Sequence, residues 1–358
     1  MTTFTTSFGR TINAVPGYRE AHSTWTSEQL FTSPPFGIDG FVRDVYQYSI
    51  MRDFLLSYGI SSWGRALDIG GAEGTLARLL RGEGMARWAG TVEIQDFSRR
   101  LSTAAFLRYW AKFQLAASAA RYNPALKRFL LGEGAWKGRR LSPTFPEFGY
   151  YPPPNSVFWH LWLRHLPKAD AYWVQDVYEL RETFDFITML IALPHFDPQH
   201  LFLKVSELLV EGGVFFFLSD NWWFSVNSTR LVGLFPYALQ RLTKQDLERY
   251  VVETHPNESQ DWMRRYNYYH GGKLQPTLSD YISLAASAGL ELIGARMLFP
   301  PHETHIRAAV PPRRLNRNKE TQLADVLSDV HQFRPDVQVT DLMASHVMAV
   351  FRKPMANS

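Results

Sequence analysis

The chain has 358 residues, 46% of them hydrophobic and 20% charged, with a formal net charge of +4. That supplies apolar material for a large core and length for about two domains at roughly 150 residues each, while the mild charge permits an anionic partner without requiring one. There is no cysteine, which excludes disulfides, thiolate metal sites and cysteine nucleophiles and fits a reducing cytoplasm.

Residues 1–35 are rich in Thr and Ser, close on Pro34-Pro35 and read as loosely ordered; they lack the basic-then-apolar pattern of a secretory leader. The pattern turns helical over 37–58, where Phe41, Val45, Ile50, Phe54 and Leu55 share one face. A short buried strand is expected at 66–69 and a helix at 76–81, ended by Gly82-Glu83-Gly84. A second strand over 88–94 carries Glu93 near its end. The connection that follows is long: 98–131 is helical by period, 132–154 is rich in Gly, Pro and aromatics, and 158–166 forms another amphipathic helix. Connections longer than about 15 residues are usually functional or disordered, and this one is too aromatic for disorder, so it reads as an insertion.

A third strand over 171–176 ends in Asp176, and a fourth over 184–190 is almost wholly apolar, as a strand covered on both faces should be. Ala192-Leu193-Pro194-His195-Phe196 leads into a helix through Leu209. Glu211-Gly212-Gly213 reads as a helix stop and tight turn before a fifth strand at 214–218. The apolar run 213–224 is cut by Asp220 and Asn221, too short for a bilayer span, and the chain is expected to be soluble and cytoplasmic. A second insertion, 221–276, holds Trp222, Trp223, Tyr266, Tyr268, Tyr269 and His270. A helix over 277–288 closed by Gly289, a sixth strand over 291–298, a third insertion with a helix near 320–331, and a last strand over 345–352 complete the chain.

The most informative stretch runs from Arg65 to Ala77, a strand ending in an acid, a glycine-rich turn and the first turn of a helix. Gly70, Ala72 and Gly74 leave little side-chain bulk, so backbone amides can approach a ligand closely. The helix that follows points its positive end at the same spot. In a mostly parallel α/β sheet this is where an adenine-containing cofactor sits. Glu93 lies 19 positions beyond Gly74, near the distance at which a carboxylate meets a ribose diol. These two cues point to an adenosine moiety without separating NAD from S-adenosylmethionine. The dinucleotide fingerprint Gly-x-Gly-x-x-Gly would place its third glycine on Thr75, and Ala72 replaces its second. The spacing is instead Asp-x-Gly-x-Ala-x-Gly, with Asp68 ahead of the turn. An acid there suits a ligand that carries a cation and no diphosphate.

At these residues the sequence resembles the class I S-adenosylmethionine-dependent methyltransferases. The run of Phe-Asp strand, Pro-His, helix, Gly-Gly and strand over 184–218 is similar to the second half of the same family. The resemblance implies an α/β fold, doubly wound around a mostly parallel seven-stranded sheet with an antiparallel last strand. The core would cover 46–352, with an N-terminal extension at 1–45, a tail at 353–358, and insertions at about 98–169, 221–276 and 300–343 forming a substrate cap. The helix over 37–58 would lid the cofactor or simply pack. S-adenosylmethionine would be held by Asp68, Gly70, Gly71, Ala72, Gly74, Glu93, Ile94, Asp176, Val177 and Leu190. Asp176 would accept the adenine amino group, its alternative role being a helix N-cap.

Methyl transfer from a sulfonium is an in-line displacement with a neutral leaving group, so alignment and exclusion of water supply much of the acceleration. A base is needed when the acceptor must lose a proton, and histidine suits that task near neutral pH. His195, after the fourth strand, and His270, in Tyr268-Tyr269-His270-Gly271-Gly272, are the catalytic candidates. His302 and His305 lack a third ligand, His160 and His165 do not share a helical face, and no metal is expected. The basic run Arg313, Arg314, Arg317 and Lys319 has no recognised nucleic-acid module beside it. The expected function is methyl transfer to a small organic acceptor, a specialised metabolite or sugar, at oxygen. The alternatives are an RNA methyltransferase and a non-methylating S-adenosylmethionine-binding protein. No membrane partner is expected, and a homo-oligomer is permitted.

Overall fold

The computed structural model describes residues 3–14, 16, 38–72, 74–95, 166–221, 223, 235, 237–257, 259–260, 262–263, 276–299, 323–344 and 346–355. The chain opens on a hairpin, β1 (Thr3–Thr5) and β2 (Thr11–Asn13), followed by α1 (Ile38–Ser57), β3 (Trp63–Ile69), α2 (Thr75–Gly82) and β4 (Ala86–Glu93). After the first insertion come β5 (Ala171–Val174), a 3-10 turn (Val177–Glu179), β6 (Phe184–Leu190), a second 3-10 turn (Leu193–His195), α3 (Pro198–Leu208) and β7 (Leu209–Asp220). The remainder is α4 (Ala238–Arg241), α5 (Lys244–Thr254), α6 (Leu278–Ser287), β8 (Glu291–Leu298), α7 (Leu323–Val330), α8 (Val339–Met343) and β9 (His346–Arg352).

Seven strands form one sheet in the order β5-β4-β3-β6-β7-β9-β8. β3 pairs in parallel with both β4 and β6, while β9 runs antiparallel to β7 and β8. The doubly wound sheet with an antiparallel last strand is the expected fold class. Strand order reverses at β3, so the crevice at the carboxyl ends of β3 and β6 is the topological switch point.

The period of two along each strand sorts side chains between two apolar layers. Ala66, Phe186, Phe216, Leu218 and Met348 face α1 and α2 in one cluster; Leu67, Ile69, Ile187, Met189, Phe217 and Phe351 face α3 and α6 in the other. Each fully buried large side chain contributes about 1.5–3 kcal/mol of transfer free energy, which is why apolar residues dominate the central strands. Among the described residues no helix is long and apolar enough to cross a membrane.

Four readings of the sequence are corrected. β3 begins at Trp63 rather than residue 66, because the Trp63 ring stacks on Phe186 with centroids 3.7 Å apart and the Arg65 guanidinium lies 4.5 Å over Trp88. Glu211-Gly212-Gly213 does not stop a helix. α3 ends at Leu208 and the Gly-Gly pair lies inside β7, where Gly212 at φ 74 makes a bulge and the register slips between Phe184 and Phe186. Gly212 and Gly213 then exchange backbone hydrogen bonds with Lys353 at 2.9 Å.

The third correction concerns the N-terminus, which is not loosely ordered over 3–14. Phe4 and Ile12 of the hairpin enter an apolar cluster with Leu239, Leu247, Tyr250 and Trp262, and Asp246 accepts from Ser7 N at 2.9 Å and Ser7 Oγ at 2.8 Å. The fourth lies in the third insertion. The described part of the expected helix, α7, ends at Val330, and a further helix, α8, follows it because Gln338 and Asp341 form a capping box. Trp223, Tyr237, Val326, Val330, Val337 and Leu342 make a small core of their own. Asn221, directly after β7, donates through Nδ2 to the carbonyls of Asp341 and Ala344 at 2.7 Å, rooting this layer at the carboxyl end of the sheet. The helices expected over 98–131 and 158–166, and His160, His165, His302, His305, Arg313, Arg314, Arg317 and Lys319, lie outside the described residues.

Candidate active site

Asp68 lies next to last in β3 and is 2% exposed. By alternation its carboxylate points to the layer that holds Ala66 and α1. Thr91 on β4 is fully buried and donates from its hydroxyl to the Asp68 carbonyl at 3.1 Å. A Cβ at Gly71 would collide with the Asp68 carboxylate and the Thr91 hydroxyl, so that position needs glycine for close approach. Gly70 also needs it: φ is 71°, and a Cβ there would stand 2.6 Å from the Ala192 Cβ across the switch point.

The turn is a left-handed ladder, with Gly70, Ala72 and Gly74 all at positive φ. Ala72 at φ 46° is strained, at a cost of about 1–3 kcal/mol for such a backbone. Two contacts hold it. Its amide donates to Glu93 Oε2 at 3.2 Å, and its carbonyl accepts from the Tyr172 hydroxyl of β5. On the far side of the crevice Ile191, a β-branched residue, is also left-handed at φ 60°, pinned by its amide to the Leu218 carbonyl at 2.7 Å. Strained backbone thus stands on both walls.

α2 begins at Thr75 with Gly74 as its cap, and Gly74 has no side chain to satisfy the first amides. The Thr75 hydroxyl is buried and has no hydrogen-bond partner among the described residues. Together with the helix dipole these donors make a polar cradle over the turn.

The structure brings together Asp68, Gly70, Gly71, Ala72, Gly74, Glu93 and Ile94 at one end of β3 and β4. Glu93 spans the turn, since its Oε1 also accepts from Ile94 N at 2.9 Å. Asp176 acts as a helix N-cap: its Oδ1 accepts from Tyr178 N at 3.1 Å, which opens the 3-10 turn Val177–Glu179. Val177 is buried in the second apolar layer, and Leu190 packs against the first. His195 lies exposed at the end of the 3-10 turn after β6, five residues beyond Leu190. His270 lies outside the described residues. Burial, reinforced by Asp176 and Asp197, raises Tyr178 to about 12.

Thr91, Tyr172, Ala192 and the Thr75 hydroxyl were not legible as site residues. Tyr172 reaches Ala72 across 100 positions of sequence, and no local pattern marks such a contact.

No protein-family profile matches the chain, and no curated protein sequence does. Solved structures resemble it. Phosphoethanolamine N-methyltransferase 2 from Haemonchus contortus is 14% identical over 92% of this chain and 60% of its own, with a TM-score of 0.42. This chain therefore spans less than two thirds of that protein's length. The N-methyltransferase NodS from Bradyrhizobium japonicum is 10% identical over 88% of this chain and 97% of its own, at a TM-score of 0.36. A cyclopropane synthase from Mycobacterium tuberculosis is 11% identical over 85% and 84%, at 0.39. These likenesses, all with TM-scores below 0.5, carry no argument of their own; the strand order β5-β4-β3-β6-β7-β9-β8 with β9 antiparallel does. The chain has the class I methyltransferase fold.

Proposed function

We propose that the protein binds S-adenosylmethionine at the Asp68–Gly74 turn and transfers its methyl group to a small organic acceptor at oxygen. The observation that carries this reading is Asp68, an acid buried to 2% exposure and packed against Gly71, where any Cβ would collide with its carboxylate. A diphosphate would meet that carboxylate with like charge, whereas a ligand carrying an ammonium and a sulfonium is attracted to it. The Thr75 hydroxyl and the bare amides of α2 supply donors for the nucleoside or carboxylate groups, and Glu93, already fixed by the turn, is placed for a ribose diol.

When bound, the cofactor supplies an electrophilic methyl group on a neutral leaving group. The chain's part is alignment and shielding: the turn holds one reactant, and the layer rooted through Asn221 is the substrate cap that excludes water. His195 accepts the acceptor hydroxyl's proton. Its support is position, at the carboxyl end of β6 on an exposed turn.

Calorimetry tests the donor. S-adenosylmethionine should bind, Asp68→Asn should weaken it strongly while the fold survives, and binding of NAD in its place would overturn the reading. Mass spectrometry of S-adenosylhomocysteine formation against hydroxyl, amine and carbon acceptors tests the acceptor atom, and turnover confined to amines would overturn oxygen.

A further inference from the structure

Gln47 is 1% exposed on α1, and its Nε2 has no hydrogen-bond partner among the described residues. A buried amide donor left unmet is destabilising by about 1–3 kcal/mol, so a fold that keeps one has a use for it or tolerates a defect. Its position distinguishes the two.

Residues at i+4 and i+7 share Gln47's helical face and, with Tyr58 in the turn just past the helix end, mark where that face lies on the sheet. Tyr58 covers Gly294 of β8, the Phe54 ring stands 6.0 Å from Phe216 of β7, and the Met51 sulfur lies 3.4 Å from the Thr188 hydroxyl of β6. α1 therefore crosses the strands from β8 towards β3. Thr188 is the register partner of Phe216 on one side and of Asp68 on the other. Four residues of helix rise about 6 Å, and neighbouring strands lie about 4.8 Å apart. The step from Met51 back to Gln47 thus carries the face from β6 onto β3, at the level of Asp68 and on the side to which its carboxylate points.

We propose that the Gln47 carboxamide is a cofactor-binding group, donating to the α-carboxylate at the methionine end of S-adenosylmethionine beside Asp68. This rests on reading the turn as the S-adenosylmethionine site. The methionine end carries an ammonium and a carboxylate on one carbon. Asp68 offers an acceptor to the first and Gln47 a donor to the second. A neutral donor is what that place requires, because a Lys or Arg would neutralise Asp68 instead.

The test compares S-adenosylhomocysteine with 5′-methylthioadenosine, which lacks the amino-acid end, by calorimetry on wild type, Gln47→Met and Gln47→Glu. Gln47→Met should weaken S-adenosylhomocysteine by about tenfold or more, leave methylthioadenosine unchanged, and hold or raise the melting temperature, since it removes an unmet donor. Gln47→Glu should weaken S-adenosylhomocysteine further by repelling its carboxylate, again sparing methylthioadenosine. Equal loss of both ligands, no loss of either, or a lowered melting temperature in Gln47→Met would overturn the proposal and leave Gln47 a structural residue. Wild type that binds neither ligand would overturn the cofactor reading itself, and this inference with it.

Discussion

The backbone amide of Ala72 donates to Glu93 Oε2 at 3.2 Å, so the acid at the end of β4 braces the strained turn at the end of β3. Glu93 therefore has two tasks, and its variants should separate them. Removing a hydrogen bond to a charged acceptor is worth about 1.5–3 kcal/mol, roughly 10- to 150-fold in affinity. Glu93→Ala should weaken S-adenosylmethionine by that order and Glu93→Gln by less, measured calorimetrically. A melting temperature that falls while affinity holds would make Glu93 a brace alone.

Gly71→Ala places a methyl group against the Asp68 carboxylate and the Thr91 hydroxyl, both buried. Overpacking of this kind is destabilising by about 1–3 kcal/mol. Chemical denaturation should show that loss together with loss of cofactor binding. Gly84→Ala, with no atom within 4 Å of its Cβ but φ 73°, should lose stability without losing affinity.

Asp329 is 2% exposed and lies 2.6 Å from Arg241 Nη2, with Arg10 Nε at 2.8 Å. Arg241 is itself buried, so Asp329→Ala strands a charge and should cost about 3–5 kcal/mol. Arg10 is 42% exposed in its side chain, and Arg10→Ala should cost under about 1 kcal/mol. Hydrogen exchange should place the Asp329 loss in α4, α7 and the hairpin, with β3 and β6 unaffected.

Tyr178 predicts an alkaline limb. Its pKa is raised to about 12 in the folded chain, against an ordinary value near 10, so the fold favours the protonated phenol. The resulting stability is present in full below pH 10 and lost as pH climbs from about 10 towards 12. Urea unfolding over that interval should steepen in wild type and flatten in Tyr178→Phe. Equal slopes would remove Tyr178 as the cause.

For the base, His195→Ala should keep cofactor affinity and lower turnover by about 10²–10⁴-fold with a hydroxyl acceptor. Turnover within a factor of two of wild type would reduce His195 to a surface residue of the turn.

The sequence by itself determined the sheet. The near-continuous apolar run over 184–190, and glycines at Gly84 and Gly289 where only positive φ ends the helix, depend on neighbours within a few residues and so are written locally. The glycine turn was legible for the same reason. Glu211-Gly212-Gly213 misled because a left-handed glycine punctuates a bulge as readily as a turn, and only the pairing of β6 with β7 decides between them. Asp176 carries both readings in the sequence, and the hydrogen bond from Tyr178 N establishes only the N-cap. Tertiary structure alone decided the rest: that Tyr172 and Glu93 hold Ala72, and that the hairpin at 3–14 seals a core with α5. Those contacts join residues 21 to more than 200 positions apart, and their partners are chosen by chain closure and packing geometry, which no local periodicity records.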